Sequence, residues 1–326
     1  MTYSFFGTCL NDHRHLYDCL KTIINQTVPP NEIIIVNSGD SNIEKEILEI
    51  LNPKKIKLIY IYKKLSRVRS LNLAIDKSTS QYSFRFDTRT RFSNDYADKA
   101  LKILSNKKFN AEVVGGVPFV ISDIDNFESN LCAEIMKREY IYFFPKHRNT
   151  NYSGYSSSIY LGCFSTSTLK KIRFSEKESL FSEDSLIIND FLEKGFKAYI
   201  SSNIKVSYVC RSSLKNIMKL FNTYGYCRAN TILISKKLFI SKRHFLVFFV
   251  LLITSVALFK FSILSIIFLP FILLIFNYYN EILYKEKFNL LVPFCGTLCQ
   301  FLWIFGFLWS LISIFRLRNK KSNFIS

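Results

Sequence analysis

The chain has 326 residues, with 44 Lys and Arg against 25 Asp and Glu (net charge +19), 49% hydrophobic residues and 16% aromatics. This excludes a disordered or collagen-like polymer, and eight cysteines without a CxxC pair read as reduced, buried thiols rather than a disulfide framework. A mean hydropathy of +0.13 with 21% charged residues requires that apolar sequence be segregated along the chain.

In chain order, Tyr3–Cys9 is a short apolar run followed at once by Asn11-Asp12-His13-Arg14, which is not a signal peptide, so this part is expected to stay in the cytosol. His13 and His15 read as exposed loop residues. Helical spacing over Leu16–Asn25, a β-branched run at Glu32–Val36, helical Ile43–Leu51, strand Ile56–Ile61, helical Val68–Ile75, strand Tyr82–Phe86, helical Tyr96–Leu104 and strand Val113–Val117 follow. Strands alternating with helices of about ten residues predict right-handed crossovers and a parallel sheet covered on both faces. Ligands of such sheets bind beyond the carboxyl ends of the strands, which directs attention to the residues after Val36 and Phe86. Neither GxGxxG nor GxxxxGK[ST] occurs there, against Rossmann dinucleotide binding and P-loop chemistry.

Two acidic elements could carry chemistry. Asp87 ends the strand Tyr82–Phe86 and is flanked by Arg85, Arg89 and Arg91, a setting for a hard cation and the phosphates it bridges, or equally for a helix cap or an arginine pair. Glu183-Asp184 precedes a helix with Leu186, Ile187, Phe191 and Leu192 on its apolar side; the pair either complements the helix dipole or supplies a general base.

The last third is apolar. Lys260 is the one charge between Phe245 and Tyr279, and Leu290–Phe315 has none, so segments at about 245–259, 262–279 and 290–315 are expected to cross a membrane. Cys295 and Cys299 lie four apart in the last of these, a spacing for helix packing. Lys236, Lys237, Lys242 and Arg243 before the first segment, and Arg316, Arg318, Lys320 and Lys321 after the last, both favour the cytoplasm, and three crossings do not satisfy both. The basic surplus suits an anionic membrane surface, and no RNP, KH or helix-turn-helix signature points to nucleic acid.

Taken together, Asn11-Asp12, Ile24-Asn25-Gln26-Thr27, Asn31-Glu32-Ile33-Ile34-Ile35-Val36, Asn72-Leu73-Ala74-Ile75 and Arg85-Phe86-Asp87-Thr88-Arg89 resemble family 2 glycosyltransferases of the GT-A fold. Gly115-Gly116, Leu161-Gly162-Cys163-Phe164, Glu183-Asp184, Arg211-Ser212-Ser213-Leu214, Tyr224-Gly225-x-x-Arg228 and Trp303…Gly306-Phe307 extend the likeness to the ExoA-like subgroup of succinoglycan glucosyltransferases.

The resemblance implies an α/β GT-A domain with a Rossmann-like, mostly parallel sheet over 1–210. It also implies a basic amphipathic linker over 211–243 and membrane helices with a basic tail over 244–326. It implies an inverting sugar transfer from a nucleotide-diphosphate sugar to a polyprenyl-diphosphate-linked saccharide in surface (exopolysaccharide) assembly. The location it implies is a bacterial-type inner membrane, multi-pass, with the catalytic domain cytoplasmic.

By the same resemblance Asp184 is the catalytic base with Glu183 beside it, and Asn11, Asp12, Asn37, Ser38, Asn72, Asp87, Arg89 and Gly162 bind the donor. Asp87 holds Mg2+ or Mn2+, and Arg211 and Arg228 meet phosphate of donor or acceptor. Four positions depart from the pattern: Asn37-Ser38 replaces an Asp-Asp, Leu71 an Arg, and Leu186 a second Glu. A catalytically inactive, membrane-anchored binding protein and a processive polysaccharide synthase are the alternatives; the QxxRW element of the latter is absent, with Leu220-Phe221-Asn222-Thr223-Tyr224 in its region.

Overall fold

The computed structural model describes residues 1–176, 182–235, 264–284 and 288–322. Its strands are β1 (Tyr3–Cys9), β2 (Glu32–Asn37), β3 (Lys57–Tyr62), β4 (Tyr82–Phe86), β5 (Thr90–Phe92), β6 (Val113–Ile121), β7 (Gly154–Tyr155), β8 (Cys163–Ser165) and β9 (Ala198–Val209). The helices are α1 (His13–Ile24), α2 (Glu44–Leu51), α3 (Arg67–Lys77), α4 (Tyr96–Ser105), α5 (Phe127–Lys137), α6 (Thr166–Ile172), α7 (Glu183–Glu193), α8 (Leu214–Ser235), α9 (Leu264–Leu283) and α10 (Leu291–Ser322). One compact unit comprises Met1–Phe119, Lys146–Lys177 and Glu183–Val209; a second takes Val120–Pro145 together with Cys210–Ser326.

In the first unit β3, β2, β1 and β4 lie side by side and parallel, as the alternation predicts. The side chains of β2, β1 and β4 are buried in turn on opposite faces, because successive residues of a strand point to opposite sides, whereas edge strand β3 is only partly covered. Phe5, Ile33, Ile35 and Phe84 pack with Leu16, Cys19 and Leu20 of α1, whereas Phe6, Ile34 and Val36 pack with Leu71, Ala74 and Ile75 of α3.

The sheet is mixed rather than parallel beyond β4. β8 pairs antiparallel with β4 and β6, and β9 pairs antiparallel with β5 and β7. The short β5 and the long β9 escape the sequence reading, since Ser201-Ser202-Asn203 interrupts the apolar alternation of β9 and β5 has three residues. His13 and His15 open α1, and His15 is 4% exposed, because the helix starts a turn before its first apolar residue. All eight cysteines are free and buried.

Glu32 fixes β2 to the turn that launches β4. Its carboxylate is 2% exposed and accepts the backbone N–H groups of Thr79 (2.6 Å) and Ser80 (3.1 Å) and both of their hydroxyls. Burial alone would raise its pKa, but these donors hold the carboxyl below its ordinary value.

In the second unit the expected segment 245–259 lies outside the described residues. The segment expected at 262–279 is α9, whose polar Asn277 and Glu281 are 0% and 1% exposed. Among the described residues one helix segment, Leu291–Ser313, is long and apolar enough to cross a membrane. Among the described residues the expectation of several crossings is therefore corrected to one candidate: α9 puts its polar side chains into protein contacts, a pattern that residue-averaged hydropathy does not separate from a span.

Replacing Glu32 by Ala leaves the buried Ser80 N–H and the partly buried Thr79 N–H without their acceptor and is expected to cost about 1–3 kcal/mol in denaturant unfolding. Because the folded-state pKa is depressed, that stability is present above the ordinary carboxylate range and is lost as pH falls through the folded value. The difference between variant and wild type is accordingly expected to shrink below about pH 4.

Candidate active site

Strand β4 carries Arg85 between Phe84 and Phe86, on the opposite face of the sheet from both. Its side chain is 1% exposed and lies 5.5 Å from the Phe174 ring centroid. The guanidinium is held by three carboxylates: Nη1 donates to Asp184 Oδ1, while Nη2 donates to Glu183 Oε1 at 3.1 Å and Asp87 Oδ1 at 3.5 Å. Asp87 leaves the carboxyl end of β4, and Glu183 and Asp184 open α7. The two acidic elements found separately in the sequence thus meet on one arginine.

A second arginine closes the cluster. Arg67, the first residue of α3, donates through Nε to Glu183 at 2.7 Å and through Nη2 to both Asp87 oxygens at 3.0 and 3.1 Å. The sequence reading did not single it out. A signal existed: a cation in the first turn of a helix opposes the helix dipole, so it needs anionic company.

The carboxylates differ in environment. Burial would raise the pKa of Glu183 and of Asp87, but Arg85 and Arg67 hold both below the ordinary range. Asp184 is pushed up to about 6: the surrounding protein desolvates it and Glu183 and Asp87 repel its charge, while Arg85 opposes the rise. Its side chain nevertheless keeps 43% exposure against 7% for Glu183, so Asp184 is the member of the pair that an incoming group can reach. A carboxylate with a pKa near neutrality and access to solvent is suited to taking a proton.

The triplet Asp87-Thr88-Arg89 has its third residue turned away. Arg89 Nε and Thr88 Oγ1 both donate to Asp12 Oδ2, at 3.0 and 3.1 Å, and the Arg89 carbonyl accepts from Val209 N–H at 2.8 Å. Asp12 and Arg89 therefore brace the loop that presents Asp87. For a cation, Asp87 supplies one carboxylate at 30% exposure. One carboxylate with diphosphate oxygens and water is a normal Mg2+ shell, so the donor set fits, provided that Arg67 yields its hold on the two oxygens.

Other expected donor-binding residues are engaged within the domain. Asn11 exchanges bonds with Asp40, donating to its carboxylate and accepting its N–H, both at 2.9 Å. Asn37 is 0% exposed, donates to Ser41 O and Tyr60 Oη, and accepts Gly39 N–H, so its amide is spent on the strand-end turn. Ser38 Oγ donates to Lys63 O and meets Ser70 Oγ.

Asn72 donates to Phe174 O and Glu176 and accepts Phe174 N–H, pinning the segment that leads toward α7. Gly162 has φ +93°, and a Cβ there would fall 2.6 Å from the Phe164 ring, so glycine is required by backbone and packing alike. Its carbonyl accepts from Arg85 N–H at 3.0 Å, which sets it beside the buried arginine. Arg211 and Arg228 belong to the second unit.

With this geometry in view, comparisons with known proteins are informative. The chain is 27% identical over 232 residues to a curated Methanococcus voltae protein, dolichyl N-acetyl-alpha-D-glucosaminyl phosphate 3-beta-D-2,3-diacetamido-2,3-dideoxy-beta-D-glucuronosyltransferase; the match covers 66% of this chain and 69% of that one. Its fold is similar to that of the mannosyltransferase PcManGT from Pyrobaculum calidifontis in complex with GDP-Man and Mn2+ (TM-score 0.60, 13% identity, 95% of this chain and 86% of that chain). A crystal structure of S. aureus TarS aligns with a TM-score of 0.47 and 14% identity over 72% of this chain, which spans 40% of that one. The profile of the family described as glycosyl transferase family 2 matches residues 5–168, half of the chain, and the chain belongs to that family.

Proposed function

We propose that the protein is an inverting glycosyltransferase that moves a sugar from a nucleotide-diphosphate donor to a saccharide carried on a polyprenyl diphosphate, in the assembly of a surface polysaccharide. The observation that carries this reading is the convergence of Asp87, Glu183 and Asp184 on Arg85. It favours a working enzyme over an inert binding protein, because burying Arg85 at 1% exposure to organise three carboxylates is costly unless the arrangement serves chemistry.

Asp184 accepts the proton of the acceptor hydroxyl as its oxygen bonds to the anomeric carbon from the face opposite the leaving group. The bond from that carbon to the diphosphate breaks, and the configuration inverts. Glu183, ionised between Arg67 and Arg85, keeps the first turn of α7 in place. Asp87 would hold Mg2+ or Mn2+, which neutralises charge developing on the departing diphosphate. Arg67 then exchanges Asp87 for the donor phosphates, to which a planar guanidinium is well matched.

A lipid-linked acceptor is supported by two things. The Methanococcus relative is named for a dolichyl phosphate sugar, and the second unit carries an exposed apolar helix surface. Location at the cytoplasmic face of a bacterial-type plasma membrane follows from such an acceptor and a donor of cytosolic origin.

Membranes containing the full chain, supplied with a panel of nucleotide sugars and a polyprenyl-linked acceptor, are expected to yield an elongated lipid with one donor. Asp184→Asn is expected to lower kcat about 10²–10⁴-fold with donor affinity unchanged. Asp87→Asn is expected instead to weaken Mn2+-dependent donor binding at least about tenfold in calorimetry. No product with any donor, or a fully active Asp184→Asn, would refute the proposal.

A further inference from the structure

The helix that could cross a membrane is packed, at its middle, against one that could not. α8 and α10 touch backbone to backbone: a Cβ on Gly225 would fall 1.9 Å from Trp303 O, and one on Gly306 would fall 2.1 Å from Asn222 O. Asn222 Nδ2 also donates to Leu302 O at 3.2 Å. Residues 302–307 stand near the centre of the apolar stretch Leu291–Ser313. If that stretch spanned a bilayer, the centre of α8 would sit near the midplane whatever the crossing angle.

α8 is not built for that depth. Lys219 is exposed three residues before Asn222, and Arg228 follows Gly225 by three, each about 5 Å along the helix from the contact. Lys215 and Asn216 are exposed one turn further out. Charged side chains at the bilayer centre are strongly disfavoured.

The start of α10 and the end of α9 are likewise fastened to hydrophilic protein. Gln300 donates to Ile141 O, and Asn277 donates to Thr297 and Gln300. Arg138 makes a two-pronged pair with Glu281, both bonds at 2.9 Å, and Glu281 also accepts from Tyr140 Oη and Asn289 N–H.

What these helices leave uncovered is apolar and continuous. On α10, Phe294, Leu298, Phe301, Phe305, Trp309 and Ile312 are 37–54% exposed and recur every three or four residues, a single stripe. On α9, Ile275, Tyr279 and Ile282 are 62–69% exposed. A helix with one face bound to protein and the other apolar from Phe294 to Ile312 meets the requirement for lying in a membrane interface.

We infer that α9 and α10 lie in the plane of one leaflet, with the stripe among the acyl chains and neither helix crossing. Exposed Lys215 and Lys219 on α8, and in sequence Arg316, Arg318, Lys320 and Lys321 beyond the stripe, complement an anionic headgroup layer. Both ends of α10 then face the same aqueous compartment. This holds whether or not the chain transfers sugar, so it fails or stands apart from the proposed reaction.

The test uses the full chain, whose eight native cysteines are buried. Phe288→Cys and Ser322→Cys, introduced singly, bracket α10 and are challenged with a membrane-impermeant maleimide in sealed right-side-out and inverted membrane vesicles, with detergent-opened vesicles as the reactivity control. Modification of both sites from the same side, with flotation of the purified protein on vesicles containing phosphatidylglycerol, is expected. Modification from opposite sides overturns the inference, as does a site reached only after detergent. A stripe covered by a second copy would give a dimer that does not float, which also overturns it.

Discussion

The site depends on one buried guanidinium. Arg85 sits at 1% exposure near the carboxyl end of a sheet strand, where an unpaired charge would be intolerable. Its neutralisation requires acidic groups delivered from elsewhere in the chain, and α7 and the tip of β4 deliver them. The same contact that makes the arginine tolerable therefore sets the spacing of Asp87, Glu183 and Asp184. It also separates their roles, because Arg67 and Arg85 share Glu183 and Asp87 closely while Asp184 keeps access to solvent.

Several residues expected on the donor side brace the segments that carry this cluster. Asp12 with Arg89, and Asn72 with Phe174 and Glu176, hold the two segments that lead into the acidic cluster. Where this chain departs from the usual family pattern, the replacements are structural. Leu71 and Leu186 are 1% and 4% exposed, and Asn37 closes the turn after β2 with its own amide. None of these three displaces a member of the Arg85 cluster.

Much of the first unit was legible because its signal is local. Both-faces burial leaves near-continuous β-branched runs such as Ile33-Ile34-Ile35-Val36, and α1 and α3 show their apolar spacing plainly. Asp87 and Asp184 were legible as strand-tip and helix-start carboxylates, but their meeting was not, since 97 positions of sequence hold no record of distance. β9 is hidden because Ser201-Ser202-Asn203 breaks its apolar run, and Arg67 because its one signal, a cation in the first turn of a helix, does not say which carboxylates answer it. The last third is plainly apolar, but hydropathy does not tell the candidate span among the described residues from α9, because side chains such as Asn277 and Glu281 reveal their partners only in three dimensions.

The central claim is that Asp184, raised by its surroundings and poised by Arg85, takes the acceptor's proton. The pH dependence of kcat with saturating donor and acceptor tests it most directly. Asp184 must be ionised to act, so the rate is predicted to rise with pH through about 6 and to level above it, and the residual rate of Asp184→Asn is predicted to lack that limb. An identical rising limb in Asp184→Asn would contradict the account.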